Sequence, residues 1–541
     1  MRLVEYLKKK IIALSGGISK YNGPEDEERL TLINDSKRIV ENKINEANVW
    51  YQGDSDELLN FYTRQTNIEY NYDPVYSRNK RGYFWSIAST ENDIKRTHSG
   101  QPRNIVDTLV SIIGKPEVNV GLKEITIAQS DDRLKEILDE NEFWDMYTFE
   151  QVPMTLVEGW GCWKIDWDKD VSDNPIIKYY RAKDVEFAYR DKRLNAIVFK
   201  DYYTDGKFRN YLISETRMLK GGNLYIYKEV FRINGDDLVK IEPAEVEELA
   251  EINTDIIEIT HTKMFLAVPC IFYKDVSNND GYGRSIYTGK FDLFDDLDQC
   301  LSQSSNTVRR STAIEYFNTD FLERDKKTGM PIMPHAYDRK YTTIVGGRNS
   351  DGTQNTDTPV QVTQPQLQFS EYSVEAQNIL LQMIAGLMSP ATMGIDVAKK
   401  DNADAQREKE KITIFTRNVL ISAESRILKK LFNQLLVAVQ LMKDGNNKIT
   451  CTNYGISIKY GEFADESFEN KLRILGEAYT KGTLSTEMYL DKLYGDSLSS
   501  NDRDREKKYL EEQGEMGQGE SDEEFDDGPG KPGFSGVEPG E

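Results

Sequence analysis

Alternation of apolar and polar residues marks a strand in "GWGCWKIDWD", residues 159–168. The apolar positions are Trp163, Ile165 and Trp167, and the polar ones are Lys164, Asp166 and Asp168. A period of two residues is typical of a strand with one buried face. Further apolar runs follow as "IIKYY", "AIVFKDYY", "NLYIYKEVFRI" and "VPCIFY", separated by turns rich in Gly and Asp. The pattern predicts an α+β or mainly β unit over residues 155–275.

Helical spacing dominates the region before that unit. Residues 30–70 are predicted to be helical, with a break at Gly53 and a new start capped by Asp54 or Ser55. Residues 102–150 are predicted to be mainly helical. The helix in "NIVDTLVSIIGKP" is expected to end near Gly114, because this glycine and the proline that follows it terminate helices.

Two further helices are predicted in the second half of the chain. Residues 290–328 contain neither Gly nor Pro, and a polar centre, "SQSSNT", predicts packing on a narrow stripe. Its apolar positions near helical spacing are Phe294, Leu297, Leu301 and Val308. The second helix has an apolar face formed by Tyr372, Ala376, Leu380, Met383 and Leu387. We expect it to end at Ser389, because a residue that precedes proline disfavours the α conformation.

A much longer helix follows these two. It starts near Asn402, a good N-cap residue, and meets no Gly or Pro before Gly445. Roughly 42 residues at 1.5 Å each span about 63 Å. After it, the sequence predicts a strand in "ISIKYGEF" and a helix capped by Ser485. Residues 328–369, before the second helix, are rich in loop-forming residues and predict a hairpin-and-loop subdomain.

Composition restricts the classes of function. The chain has 541 residues, is 38% hydrophobic and carries a net charge of −22. Eleven acidic residues, one lysine and eight glycines lie from Glu511 onward, which predicts a disordered acidic tail over 511–541. The first 510 residues carry −12, so the body lacks the basic footprint of a tight nucleic-acid binder.

Cysteine, histidine and motif content points to no metal or nucleotide site. The four cysteines match no metal-binding spacing, and buried free thiols in a reducing compartment are expected. They are Cys162, Cys270, Cys300 and Cys451, and the histidines are His98, His261 and His335. No HExxH motif and no GxxxxGK[ST] P-loop occur, which argues against an ATPase of the P-loop class. No apolar run of 18 residues is present, so no membrane span is predicted.

Two segments offer candidate chemistry, and each has a plainer interpretation. A cluster of carboxylates could serve a metal-dependent nuclease, or it could form the solvated first turn of a helix. The cluster comprises Asp292, Asp295, Asp296 and Asp298. In "RNKRGYFW", Arg78, Lys80 and Arg81 precede aromatic residues that could stack on nucleic-acid bases. The plainer interpretation of that segment is a basic surface turn beside a packed aromatic strand.

The order of features in the second half resembles the portal proteins of tailed double-stranded-DNA bacteriophages. A Tyr-Gly-x-Ser turn, "YGRSIY", precedes the polar-centred helix and a loop-rich insert. A helix ending in Ser-Pro, a short loop and "NADAQREKEK" then lead into the long helix. The pattern of "YGEFADESFENKLRILGEAYTKGTLSTEMYLDKLYG" and an early "WYQGD" are also similar to that family. The resemblance covers most of the chain.

The resemblance implies an α+β, helix-rich portal fold that assembles as a dodecameric ring around a central DNA channel. The family parts carry over as the wing (1–284), the first stem helix (285–317), the clip (318–369), the second stem helix (370–388), the tunnel loop (389–402), the long wing-to-crown helix with a returning strand (403–465) and the crown (466–510). The acidic tail and a long polar segment, 343–369, depart from the family pattern, so the clip boundary stays open.

The function implied by this resemblance is a portal at the capsid vertex, through which double-stranded DNA is packaged and ejected. No enzymatic activity, cofactor or metal is expected. The implied partners are further copies of the chain, channel DNA bound without sequence preference, the terminase large subunit, the head–tail adaptor, and the major capsid and scaffolding proteins. No membrane partner is implied. The implied location is the virion, after assembly in the host cytoplasm.

The resemblance also assigns DNA-facing positions in the tunnel loop. They are Thr392, Met393, Ile395, Asp396, Lys399 and Lys400. Loop lysines would touch phosphates, while an otherwise acidic channel would keep binding weak enough for DNA to slide. Two other functions stay open at this point: a metal-dependent nuclease that uses the carboxylates of 292–298, and a non-portal helical scaffold protein.

Overall fold

The computed structural model describes much of the chain between residues 40 and 509. The described ranges are 40–66, 82–86, 94–120, 127–190, 193–234, 237–260, 262–275, 282–310, 314–318, 323–330, 332, 340–344, 360–363, 369–395, 403–444, 454–461, 475–477, 479, 481, 485–494 and 505–509. The chain divides into two compact units, Met1–Gly461 and Glu462–Glu541. The first unit combines helices and sheets, so the predicted α+β class is confirmed.

Helices occur both before and after a central block of strands. In chain order they are α1 (40–52), α2 (Ser55–Thr66), α3 (Gln101–Ile113), α4 (Ile127–Glu140), α5 (Phe143–Met146), a π-helical turn (Tyr147–Gln151), α6 (Val152–Glu158), α7 (Phe291–Arg310), α8 (Phe369–Ile384), α9 (Ala403–Asp444) and α10 (Thr486–Tyr494). Three short 3-10 turns lie at Ala182–Asp184, Pro243–Glu245 and Glu247–Leu249.

The described strands form four sheets. They are β1 (Glu117–Val120), β2 (Trp160–Asp166), β3 (Ile176–Arg181), β4 (Val185–Arg190), β5 (Arg193–Thr204), β6 (Asn210–Lys220), β7 (Asn223–Asn234), β8 (Asp237–Ile241), β9 (Ile257–Ile259), β10 (Ala267–Ile271), β11 (Ile314–Asn318), β12 (Lys340–Ile344), β13 (Val360–Thr363) and β14 (Ile456–Lys459). An antiparallel six-stranded sheet has the order β4-β5-β6-β7-β8, with β9 pairing to β7. The other sheets are β10-β2-β3, β1-β14 and β12-β11-β13.

The main core lies between the long helix α9 and the sheet β10-β2-β3. Phe432 of α9 is fully buried, and its ring centroid lies 5.5 Å from that of Phe143. The Phe143 ring lies 5.1 Å from that of Trp163 on β2. Ala267 N donates to Gln434 Oε1 at 2.9 Å, which joins β10 to α9. These contacts explain why the later part of α9 is apolar.

Local helix signals are confirmed where a cap or a glycine sets the boundary. Gly53 has φ +70° between α1 and α2, and a side chain there would lie 2.9 Å from the His98 ring. Asp54 Oδ1 accepts the N–H groups of Asp56 at 2.8 Å and Glu57 at 3.0 Å. Gly114 follows α3 with φ +66°. The long helix covers Ala403–Asp444, 42 residues, as predicted.

The expected polar face of β2 is wrong at Lys164. This residue is 3% exposed, and its Nζ donates to Glu215 Oε2 of β6 at 2.8 Å. Arg217 is also buried, and its Nε donates to Glu215 Oε1 at 2.8 Å. The alternating pattern of β2 predicts one solvated face, but both faces of the strand are covered. The buried charges are tolerated because they pair with one another.

Helix α7 is shorter than the range 285–317 that the resemblance assigns to one helix. Helix α7 covers Phe291–Arg310, residues 286–290 form turns, and Ile314–Asn318 is strand β11. Val308, expected on the buried stripe, is 49% exposed. The predicted helix therefore extends to Arg310, but its buried stripe is correct only as far as Leu301.

The second unit is described in part. Ser485 Oγ accepts the N–H of Met488 at 3.3 Å, so the predicted cap of α10 is confirmed. Tyr489, Leu490 and Leu493 form a small apolar cluster, and the Tyr489 ring stacks on Tyr479 at 5.0 Å.

Several predictions fall partly or wholly outside the described ranges. These are the acidic tail 511–541, Cys451, His261, His335 and most of the clip 318–369. The other three cysteines, Cys162, Cys270 and Cys300, are free and buried as predicted.

Candidate functional site

Helices α7 and α8 pack together, and the small sheet β12-β11-β13 lies between them in the sequence. We call these elements the excursion from the body of the first unit. Helix α7 leads into β11, and β13 is followed by α8, which packs along α7. In the small sheet, β11 lies in the centre, parallel to β12 and antiparallel to β13. A turn after α8 then leads toward the long helix α9. We treat this excursion and turn as the candidate site, because the predicted tunnel loop lies there.

The carboxylates predicted on α7 anchor the excursion to the body. Asp295 accepts the N–H groups of Phe84 at 2.7 Å and Trp85 at 3.3 Å. Asp298, fully buried, accepts the N–H of Ser99 at 2.8 Å and Trp85 Nε1–H at 3.1 Å, and it pairs with His98 Nδ1 at 2.7 Å. Charge-assisted bonds of this kind hold the start of α7 in place.

These contacts correct the plainer interpretation of the acidic cluster. Asp295 and Asp298 are buried and bound to the protein's own donors, so a solvated first turn is wrong for them. Asp292 and Asp296 are exposed, as that interpretation expects. Burial raises the pKa of Asp295 to about 7, against the effect of its two N–H donors. Within the part of the chain that is described, no group of His, Cys, Asp or Glu is arranged to hold a metal ion.

The aromatic residues of "RNKRGYFW" are packed inside the protein. Tyr83, Phe84 and Trp85 are at most 7% exposed, and they lie in a turn rather than the expected strand. The Arg96 guanidinium lies 5.1 Å from the centroid of the Phe84 ring. These rings have no free face for bases, so the stacking interpretation is wrong. The basic residues Arg78, Lys80 and Arg81 lie outside the described ranges.

Helix α8 ends earlier than its proline predicts. Its last residue is Ile384, and Gly386 follows with φ +76°. A glycine in the left-handed conformation after the last turn is a common way to end a helix. The predicted boundary at Ser389 is therefore wrong by about one turn, and the glycine ends the helix before Pro390 is reached.

Hydroxyl groups fix the turn that follows α8 to the start of α9. Ser389 N–H donates to Thr413 Oγ1 at 2.9 Å. Thr392 Oγ1 shares hydrogen bonds with Thr413 Oγ1 at 2.8 Å and with Ser389 Oγ at 2.9 Å. Thr413 is 1% exposed, so these bonds are shielded from water. Sequence reasoning missed this cluster, because Thr413 lies 24 residues from Ser389 and looks like an ordinary helical threonine.

Three of the predicted tunnel-loop residues belong to this fixed turn. Thr392, Met393 and Ile395 are half-buried, and the latter two pack against the main core. Thr108 Oγ1 lies 3.6 Å from Met393 Sδ. The remaining predicted residues, Asp396, Lys399 and Lys400, lie outside the described ranges.

Several large apolar side chains on these helices face solvent in the single chain. On α8, Val374 is 57% and Leu381 41% exposed; on α9, Ile412 is 49% and Phe415 71% exposed. Such residues on helices that already have a buried face suggest further packing partners. The sequence contains a signal for those on α9, since Ile412 and Phe415 interrupt a charged segment.

Comparison with known proteins adds no relative. No protein-family model matches this sequence, and no curated protein matches it. Among the described residues, no helix is both long and apolar enough to cross a membrane.

Proposed function

We propose that this chain is a portal subunit of a tailed double-stranded-DNA bacteriophage, forming a ring around a DNA channel. The observation that carries the proposal is the order of elements in the second half. Helix α7, a small sheet, helix α8, a fixed turn and the 42-residue helix α9 follow one another. This order agrees with the stem, clip, stem, tunnel loop and long helix that the resemblance implies.

The element lengths suit a subunit that spans from a wide rim to a narrow waist. At 1.5 Å per residue, α7 is about 30 Å long, α8 about 24 Å and α9 about 63 Å. In the proposed ring, α7 and α8 are the stem helices, β11–β13 belong to the clip, and α9 returns the chain to the wing. The six-stranded sheet belongs to the wing.

Exposed apolar residues support assembly. Val374, Leu381 and Phe415 lie on helices that pack elsewhere through a different face. In a ring, neighbouring copies would cover such residues, and a symmetric assembly repeats each contact at every subunit. The proposed subunit number is twelve, which rests on the resemblance.

Charge on the stem supports weak DNA contact. Asp296 of α7 and Glu371 and Glu375 of α8 are exposed, and Asp292 and Glu375 act with burial to raise the pKa of Asp296. A wall with such carboxylates repels phosphates, whereas each cation that neutralises a phosphate adds salt-dependent affinity. We propose that Lys399 and Lys400 supply the few attractive contacts, without sequence preference.

The remaining assignments rest on the resemblance. We propose that the clip docks the terminase large subunit during packaging and the head–tail adaptor afterwards. The wing would contact the major capsid and scaffolding proteins, with the ring placed at one vertex of the virion. We propose no catalytic residue and no cofactor.

Electron microscopy of the purified protein tests the proposal directly. Portal subunits are expected to form closed rings with a central hole, without hydrolysing ATP and without Mg²⁺-dependent digestion of plasmid DNA. A strictly monomeric protein at all concentrations, or nucleotide turnover, would overturn the proposal. Filaments or sheets without a hole would instead favour a helical scaffold protein.

A further inference from the structure

The hairpin between β5 and β6 presents a phenylalanine to solvent. Phe208 is 90% exposed, the highest value among the large apolar side chains of the described residues. Lys207 and Arg209 flank it and are exposed as well. We call residues 207–209 the basic tip. Hairpin connections usually carry Gly, Asn or Asp at such positions, so an aromatic ring between two cations is uncommon.

The basic tip is held rigid by Asp205. The carboxylate, 5% exposed at the level of the residue, accepts the N–H groups of Lys207 at 2.9 Å and Arg209 at 2.8 Å. Arg209 Nε donates to the same carboxylate at 2.7 Å. Burial opposes ionisation, but these hydrogen bonds lower the pKa of Asp205 to about 2. A turn fixed in this way loses little conformational entropy when a partner binds it.

The backbone at Phe208 is strained. Its φ of +59° lies in the left-handed region, which is costly for a residue with a side chain. Exposure of the ring to water adds a second unfavourable contribution. An asparagine at this position would reduce both costs, since asparagine tolerates this conformation and is polar. A strained residue that also exposes an aromatic ring points to an interaction that covers the ring.

An acidic segment with exposed isoleucines contains β9, a short strand of the same sheet. Residues 242–260 contain seven acidic residues and neither Lys nor Arg. Ile256 is 61% exposed and Ile257 is 46% exposed, next to an exposed Asp255. Ile257 begins the short strand β9, which pairs with β7. We call residues 255–257 the acidic edge.

The basic tip and the acidic edge lie at opposite ends of the six-stranded sheet. Strand β7 pairs through Ile233 with Asn210, the residue after the tip, and through Tyr225 with Glu258 of β9. At about 3.4 Å per residue, Ile233 and Tyr225 are about 27 Å apart along β7. The two sites therefore cannot meet within one chain, whereas two copies placed head to tail can bring them together.

We infer that the basic tip of one copy docks on the acidic edge of the next copy. Phe208 covers the exposed isoleucines, and Lys207 lies opposite Asp255. The charges select this orientation, because two tips repel each other and so do two edges. Such a head-to-tail contact continues from copy to copy and closes only in a ring, so the inference rests on the proposed portal ring for its closure.

Other occupants fit the tip less well. The tip has one exposed aromatic ring and one cation, Lys207, besides the Arg209 that pairs with Asp205. This is too little for stable membrane attachment, which takes two independent signals. Nucleic acid would meet the tip on a chain whose net charge is −22. The acidic edge, by contrast, offers a charge opposite to that of the tip and an apolar area that can cover Phe208.

A charge exchange tests the pairing. Lys207→Glu and Asp255→Lys are each expected to weaken self-association about threefold to tenfold in sedimentation experiments. The double variant, which restores opposite charges at every contact, is expected to return association to the wild-type level. Lys183→Glu, at an exposed position on a different turn, is the control for net charge. Unchanged single variants, or single defects without rescue in the double variant, would overturn the inference.

A second variant separates docking from folding. Phe208→Asn relieves the backbone strain, so the unfolding temperature is expected to stay the same or to rise. Self-association is expected to weaken about tenfold or more, since a buried aromatic anchor is lost. Loss of stability together with unchanged association would mean that the ring serves the fold, and the inference would fail.

Cross-linking separates this inference from the proposed function. With Phe208→Cys and Ile256→Cys in one chain, a short bismaleimide is expected to yield a ladder of linked subunits. The control pair, Phe149→Cys with Ile256→Cys, places an exposed thiol on a different element and is expected to yield none. Rings without the ladder would refute the inference and leave the portal proposal standing. A ladder from open chains, with no rings in micrographs, would refute the portal proposal and leave the contact standing.

Discussion

Gln151 Nε2 donates to Glu424 Oε2 at 3.2 Å, inside the protein, where both residues have no exposed surface. The amide oxygen of Gln151 and the second carboxyl oxygen of Glu424, each named Oε1, are buried and have no hydrogen-bond partner among the described residues. Buried acceptors without donors are costly. A proton on Glu424 would remove its buried charge, which is costly without a paired cation. Burial therefore favours a neutral Glu424, which is joined to the π-helical turn through Gln151.

The first prediction concerns pH. Burial raises the pKa of Glu424 from 4.5 to about 8. Its neighbours Tyr147, Tyr460 and Cys270 carry no positive charge that would lower this pKa. The folded state binds this proton more tightly than the unfolded state, so the free energy of unfolding falls as pH rises from about 4.5 to about 8. The loss is on the order of 5 kcal/mol.

Thermal unfolding of Glu424→Gln at pH 6 and pH 9 measures this contribution. The variant keeps a neutral side chain, so its unfolding temperature is expected to fall less between the two pH values than that of the wild type. Asp295, whose pKa is raised to about 7, contributes to the remaining decline. Glu410→Gln, on a less buried turn of the same helix, is the control. Equal declines in all three proteins would contradict the prediction.

The second prediction concerns the anchor of α7. Asp298→Ala removes the acceptor of three donors, from Trp85, His98 and Ser99. We expect a loss of about 3–5 kcal/mol of stability, because buried donors are left unpaired. A fall in unfolding temperature together with a changed Trp fluorescence spectrum would report it. The exposed Asp296→Ala is expected to have little effect, and similar losses in both variants would contradict the assignment.

The third prediction concerns the hydroxyl cluster. Thr413→Val keeps the shape of the side chain but removes the acceptor of the Ser389 N–H. The amides of Ser389, Ala391 and Thr392 are expected to exchange hydrogen about tenfold faster, which corresponds to about 1.4 kcal/mol. Exchange measured by mass spectrometry would show it, with the exposed Ser422→Ala as the control. Unchanged exchange would mean that packing of Met393 alone holds the turn.

The fourth prediction concerns DNA. The double variant Lys399→Ala with Lys400→Ala is expected to form rings of wild-type stability, because loop lysines contribute little to a core. DNA retention or packaged length should change, and more strongly at low ionic strength, where phosphate contacts are strongest. If both lysines instead pair with acids such as Glu408, the variant would lower the unfolding temperature and leave DNA handling unchanged.

Sequence reasoning predicted those features that neighbouring residues determine. The caps at Asp54 and Ser485 and the helix ends at Gly53 and Gly114 depend on residues within one turn, so the chain itself displays them. The length of α9 follows from the same local rule, since no Gly or Pro interrupts it.

The missed features depend on partners distant in sequence. Lys164 is buried because Glu215, 51 residues away, lies against it, and no local pattern contains that information. Asp298 meets Ser99 across 199 positions, so a buried anchor looks like a solvated acidic turn. In the candidate site, the flanking helices predict a loop, but the hydroxyl bonds that join Ser389 and Thr392 to Thr413 are not foreseeable from the sequence.

The pairing of β11 with β13 gives the insert a directional mechanical response. Ile314, shortly after α7, lies opposite Thr363, shortly before α8, and the ladder continues away from the helices to Phe317 and Val360. A force that spreads α7 from α8 loads the first pair alone, so the four pairs open one after another like a zipper. A force that slides one helix along the other loads all four pairs at once. The insert should therefore yield easily to spreading of its two helices and resist their sliding.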